Sequence, residues 1–320
     1  MNCDIKPILR GILASGLLAL GISTSASASA SDGLKVVASI KPLHALVAAV
    51  MDGVGTPSLL LRNPASAHHF SLRPSEARLL QNADLVFWIG PSLETPLQKI
   101  LDAVAPQAQS EVMMQTKGLT LLAMGIAKHD DHAKHDDHAA HDEHAMNPHI
   151  WLDPVNAQIM LRHIAAVLAE ADPVNAAIYK SNAGATALQL AALSDRLADQ
   201  LAPYKNEGHG GKGFLVLHDA HVYFETRFGL RTHAAIMSEP DIAPGASQIR
   251  RLRTMLDKEN IRCIFDEPDH GASAINLIVR DRDVAIVTLD PLGNSLQDSP
   301  SFYLDLLENY GTAMQKCLSH

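Results

Sequence analysis

Cysteine is scarce in this chain of 320 residues. There are three, and Cys3 falls in a leader with the marks of an export signal, so a cleaved chain keeps only Cys263 and Cys317. No cysteine stands at the cleavage region that follows the apolar part of that leader, which argues against a lipid-anchored mature form. Beyond it, no stretch approaches the roughly 20 apolar residues a membrane-crossing helix needs. The His-Glu-x-x-His pattern of helix-borne metal hydrolases is absent. Basic residues are in the minority, 26 against 35 acidic, for a net charge of -9. Losing Asp4, Lys6 and Arg10 with the leader makes it -10. An acidic surface disfavours nucleic acid and suits a cationic ligand. The segment "GHGGKGF", residues 208–214, resembles a phosphate loop only at a glance, because Asn206 and Gly213 stand where Gly and Ser or Thr are required.

What is present begins with the leader. Lys6 and Arg10 precede the apolar "GILASGLLALGI", and the small residues of "STSASASA" supply cleavage sites. Residues 1–30 therefore read as a signal peptide for export to a periplasm, the alternative being an N-terminal anchor with a short span. About 290 residues remain, enough for two domains of ordinary size. In an oxidising compartment the even pair Cys263 and Cys317 predicts a disulfide tying the chain end to an interior strand; the alternative is two buried thiols.

The mature chain alternates β-branched runs with helical patterns, the sign of βα units around parallel sheets. "KVVASI", "SLLL" and "DLVFWI" are the strands expected in the first half. "GFLVLHD", "LRTHAAIM", "RCIFDE" and "VAIVTLD" are those expected in the second, with a closing helix over 301–318. Between the halves, residues 173–203 keep a helical period from Pro173 to Pro203 and predict a rigid connector between an N-terminal lobe, 31–172, and a C-terminal lobe, 204–320.

Residues 128–146 hold His129, His132, His135, His138, His141 and His144 at every third position, among carboxylates and with no Val, Ile, Leu or aromatic residue. Such a segment cannot offset the entropy of ordering and is expected to be a disordered loop. Imidazoles among carboxylates attract divalent transition metals, but a flexible chelator must immobilise itself for each ion, so weak accessory binding is expected.

A tight site needs about four N, O or S ligands on rigid elements. Polar residues at the carboxyl ends of predicted strands, where open α/β sheets bind ligands, are the candidates. They are His68 after "SLLL", His149 in "NPHIWLDP", His218 ending "GFLVLHD" and Asp290 ending "VAIVTLD". Taken singly, each could equally be a hydrogen-bonded strand-end residue or a turn former.

Together, "AHHFSLRPSEARLLQNADLVFWIGPSLE", "NPHIWLDPVNA", "LVLHDAHVYF", "CIFDEP" and "LDPLG" resemble, in order and over nearly the whole mature chain, the zinc-specific substrate-binding proteins of ABC importers, the ZnuA type. The resemblance implies two βα lobes, each around a four-stranded parallel sheet, joined by a long helix with the metal between them. It implies His68, His149, His218 and Asp290 as ligands, with His69 at a variable position. Ala67 stands where some relatives have an acidic residue, and His221 where relatives usually show Tyr, outside the ligand set. Manganese-binding relatives tend to have Glu at the third ligand position; three imidazoles and one carboxylate suit zinc better.

The expected function is thus periplasmic capture of Zn²⁺, the transported ligand, by a monomer that delivers it to a membrane permease with a cytoplasmic ATPase. The alternatives are a zinc buffer or adhesin without transport, a manganese-binding relative, and a secreted zinc hydrolase. The last needs an open metal position and a general base, and neither is evident.

Overall fold

The computed structural model describes Met1 and residues 33–62, 70–125, 146–205, 213–237, 243–268 and 272–320. The leader, His68, His69, Ala67, the six-histidine run and most of the "GHGGKGF" segment lie outside the described residues.

Two four-stranded parallel sheets share one topology. The first runs β2–β1–β3–β4, from β1 (Val36–Ala38), β2 (Ser58–Leu59), β3 (Leu85–Trp88) and β4 (Gln109–Val112). The second runs β6–β5–β7–β8, from β5 (Phe214–Val216), β6 (Thr232–Ala235), β7 (Cys263–Asp266) and β8 (Ala285–Thr288). Central strands such as "LVFW" are buried throughout, as expected where helices cover both faces of a parallel sheet. The edge strand β4, "QSEV", is partly exposed and polar, and no apolar pattern announces it. In each sheet the connections reverse direction beside the first strand, between β1 and β3 and between β5 and β7. The carboxyl ends there form the crevice in which open α/β sheets take ligands.

The helices are α1 (Lys41–Met51), α2 (Pro74–Gln81), α3 (Leu97–Val104), α4 (Pro154–Ala171), α5 (Ala176–Leu201), α6 (Val222–Phe228), α7 (Ala246–Lys258), α8 (Ala272–Val279) and α9 (Phe302–Leu318). Proline starts α2, where its missing N–H costs nothing, and Glu76 reaches back to the backbone N–H of Arg73 at 2.7 Å. The connector is α5, whose 26 residues span about 39 Å at 1.5 Å each. Pro173 and Pro203 fall in short 3-10 turns at either end of it.

Tyr179, Ala183, Leu190, Leu193, Leu197 and Leu201 form the buried stripe of α5. The helix packs on α1 and α4 from the first half and on α9 and α6 from the second. Gly311 permits the close approach of α9, since a Cβ there would lie 2.3 Å from Leu197 Cδ2. The resulting apolar core is continuous, running from Val36 and Leu43 through α4 and α5 to Phe214, Phe265 and Leu318. Smaller clusters sit on the outer face of each sheet. The Cys263–Cys317 disulfide is formed, with Cα atoms 5.4 Å apart, and clamps α9 to β7. Among the described residues no helix is long and apolar enough to cross a membrane.

Candidate metal centre

The same place in the two sheets carries different chemistry. At the end of β1, Ser39 Oγ donates to Glu94 Oε1 at 2.5 Å, and Glu94 Oε2 accepts the Gly90 N–H at 2.9 Å beyond β3. Glu94 is fully buried, and burial pushes its carboxyl up to about 7 despite these donors. At the end of β5, His218 Nδ1 lies 2.5 Å from Oε1 of Glu267, which follows β7. His221 Nε2 lies 3.4 Å from the same oxygen, and His221 Nδ1 is 3.1 Å from the Tyr310 hydroxyl of α9.

His218, His221 and Glu267 are all buried. Burial alone would lower the His218 pKa. The charge and hydrogen bond of Glu267, helped by the charge of Asp219, outweigh it and raise the value above 6.5. Burial opposes ionisation of Glu267 too, but His218 and His221 hold its carboxyl down at about 2. Glu267 is therefore a carboxylate, which can only accept, so His218 Nδ1 carries a proton and a metal on this ring would have to be bound through Nε2.

His149 comes from the first half and meets His218 edge-on, with ring centroids 5.3 Å apart. It sits in an Asx turn built by "NPH": Asn147 Oδ1 accepts both the His149 backbone N–H, at 3.0 Å, and its ring Nδ1, at 2.9 Å. Behind it stands Trp151, ring centroid 5.1 Å from that of His149. Trp151 Nε1 donates to the carbonyl of Pro291 at 2.8 Å, and its own carbonyl accepts the Tyr303 hydroxyl.

Pro291 adjoins the fourth candidate. Asp290 Oδ2 accepts from Ser295 N at 2.7 Å and Ser295 Oγ at 2.8 Å, which fixes the carboxylate. The turn needs Gly293, whose φ of +65° suits glycine and whose Cβ would fall 2.6 Å from Phe302 Cζ. Lys41, at the start of α1, holds this turn from the other half of the chain, donating to the Leu296 carbonyl at 3.0 Å and pairing with Asp298 at 3.2 Å. The charges of Asp290 and Glu267 both act on Tyr310, whose hydroxyl burial already drives well above its ordinary range.

The structure thus brings His149 and His218 together and carries the Asp290 turn against Trp151, the neighbour of His149. Among the described residues no group of three or more His, Cys, Asp or Glu side chains could hold an ion; His68 lies outside them. His44, His163 and His320 have local partners in Pro57, Glu111 and Asp283. Sequence reasoning did not single out Glu267, Asn147 or Tyr223. The first lies in the quoted "CIFDEP", and the second is legible as an Asx-turn residue before Pro.

Trp151 offers a direct readout. Its indole is buried between His149 and Pro291, whereas Trp88 donates to Ser110 in the first sheet. Zinc is expected to change tryptophan emission in the wild-type protein and in Trp88→Phe, but not in Trp151→Phe. A response retained in Trp151→Phe would place the ion away from His149.

Comparison with known proteins agrees with this architecture. Residues 36–317 match the family model described as ZnuA, zinc-uptake complex component A, periplasmic. The high-affinity zinc uptake system protein ZnuA of Brucella suis biovar 1 is 39 % identical over 333 residues, covering 96 % of this chain and 97 % of that protein. Its counterpart in Yersinia pestis is 34 % identical over 324 residues, covering 98 % of each. A crystal structure of ZnuA superposes with a TM-score of 0.75 at 23 % identity, over 90 % of this chain and all of that one.

Proposed function

Since the chain belongs to the ZnuA family of periplasmic zinc-uptake components, we propose that it binds one Zn²⁺ through His68, His149, His218 and Asp290 and delivers it to the membrane permease of an ABC importer powered by a cytoplasmic ATPase. Residues 1–30 direct export, residues 31–172 and 204–320 form the two lobes around the 173–203 connector, and the protein works as a monomer. The observation that supports this reading best is the pair His149 and His218. They are far apart in sequence, 5.3 Å apart by ring centroids, and each has Nδ1 held by an oxygen. Such outer partners fix ring orientation and tautomer at metal-binding imidazoles.

Transport is tested in cells lacking the protein, by zinc-limited growth and radiozinc uptake. Wild-type protein should restore both, and His149→Ala or His218→Ala should restore neither. Uptake undiminished by the deletion would point to a buffer or adhesin instead. The histidine run has a separate role: it gathers ions weakly and feeds the tight site. Deleting residues 129–145 is expected to reduce the number of weakly bound ions in calorimetry while one tight ion remains. Loss of the tight ion with the run would overturn this division.

The sign of the pH dependence follows from the buried pair. The raised pKa keeps His218 protonated above its ordinary 6.5, and zinc must displace the Nε2 proton. Affinity should therefore start to fall while the pH is still above 6.5 and keep falling below it. In the metal-free protein the effect is opposite. The stabilisation from His218 is complete below 6.5 and is lost as pH rises through its raised value. That from Glu267 is present above 4.5 and is lost as pH falls towards about 2. Calorimetry across this range would refute the linkage if zinc affinity did not change.

A further inference from the structure

We propose that Asn147 is a positioning residue for the metal site, whose single amide selects the tautomer of His149 and straps that histidine to the turn carrying His218. The inference rests on the reading that His149 and His218 are ligands.

Asn147 is fully buried and engaged at every polar group. Its backbone N–H donates to the Leu122 carbonyl at 2.7 Å, and its carbonyl accepts the Tyr223 hydroxyl at 2.8 Å. Its side-chain Nδ2 donates to the carbonyl of Asp219, the residue after His218, at 2.5 Å. The orientation of the amide is forced by its surroundings. The Asp219 carbonyl can only accept and therefore faces NH₂; the His149 backbone N–H can only donate and therefore faces Oδ1. With Oδ1 established as an acceptor, His149 Nδ1 must bring a hydrogen to it, and the lone pair resides on Nε2. A flipped amide would set oxygen against oxygen on one side and N–H against N–H on the other.

His218 reaches the same tautomer by a different partner, the Glu267 carboxylate. One imidazole is thus backed by a neutral amide and the other by an anion, which makes His218 the stronger donor of the two. The link from Nδ2 to Asp219 adds what Glu267 does not supply, a bond from the first half of the chain to the His218–Asp219 turn of the second. Tyr223 doubles that strap, because its hydroxyl also accepts the Leu122 N–H at 3.1 Å.

Two substitutions separate the two jobs. Asn147→Ala removes both, whereas Asn147→Asp keeps an oxygen for the His149 N–H and Nδ1 but sets a charged oxygen in place of the donor to the Asp219 carbonyl. Zinc affinity is measured by competition with a chromophoric chelator, and ligand geometry by the visible spectrum of the Co²⁺-loaded full-length protein. Asn147→Ala is expected to bind zinc about 10- to 100-fold more weakly, with a shifted cobalt spectrum. Asn147→Asp is expected to retain the wild-type spectrum with a lowered melting temperature. A wild-type affinity and spectrum in Asn147→Ala would overturn the proposal, as would an Asn147→Asp spectrum shifted like that of Asn147→Ala. Should Asn147→Ala fail to fold, Asn147→Asp decides alone: an unchanged spectrum supports tautomer selection and a changed one overturns it. His149→Ala is run in parallel; if it binds like the wild type, the ligand assignment fails, and that failure is distinct from an error about Asn147.

Discussion

Glu267→Ala is expected to weaken zinc binding by about 10- to 100-fold, the usual cost of removing an outer partner of a metal-binding histidine. It should also lower the stability of the metal-free protein by about 3–5 kcal/mol, the scale for stripping one partner from a buried ion pair. Both losses have one origin. Glu267 is 5 % exposed and its Oε1 lies 2.5 Å from His218 Nδ1 and 3.4 Å from His221 Nε2. Without it the buried, protonated His218 loses the carboxylate bonded to its Nδ1, and with it the acceptor that sets its tautomer. Glu267→Gln separates the contributions, since the amide oxygen still accepts from Nδ1 while the charge is gone. Chelator competition and urea denaturation provide the two readouts. The order of zinc affinity should be wild type, then Gln, then Ala. Wild-type affinity in Glu267→Ala would remove His218 from the ligand set or Glu267 from its support.

The second large effect belongs to the disulfide. Cys263 and Cys317 are 54 residues apart in sequence. The chain-entropy account puts a closed loop of that length at about 4 kcal/mol, and measured values usually fall within about 2–4 kcal/mol. For a chain of this size that corresponds to a drop of roughly 3–7 °C in melting temperature. The bond anchors β7, and Glu267 stands immediately beyond the end of β7 at Asp266. Reduction or Cys263→Ser with Cys317→Ser should therefore also loosen zinc binding, by less than Glu267→Ala does. Calorimetric melting of oxidised and reduced protein, with and without zinc, tests this. Equal melting temperatures would show that the bridge adds nothing to the fold.

Much of the architecture was legible because each signal was local. Buried strands read as "VVA" and "LVFW", the connector as an unbroken helical period between two prolines, and the disulfide as an even cysteine pair in an exported chain. Strand β4 was not legible. "QSEV" is polar, and it pairs only because the Leu85–Trp88 strand presents an open edge beside it. The site divides in the same way. His218 stands out at a strand end and His149 within the quoted "NPHIWLDP". Of the partners that orient them, Asn147 is local to His149 and readable as an Asx-turn residue, whereas Glu267 becomes a neighbour of His218 only through the strand order that sets β7 beside β5. A buried glutamate in a sequence looks like any other. Its meaning comes from what folding places against it, as the contrast between Glu94 on Ser39 and Glu267 on His218 illustrates.

The unbroken apolar interior bears on how cargo could leave. Leu190, Leu193, Leu197 and Leu201 of α5 are each 1 % exposed or less, within a core that reaches both sheets. A clam-shell gape wide enough to wet those four side chains would cost about 6–12 kcal/mol at 1.5–3 kcal/mol each. That is comparable to the whole folding stability of an ordinary domain. An opening of the halves that exposed those four side chains is therefore disfavoured, and any movement about the candidate site has to leave the α5 core packed.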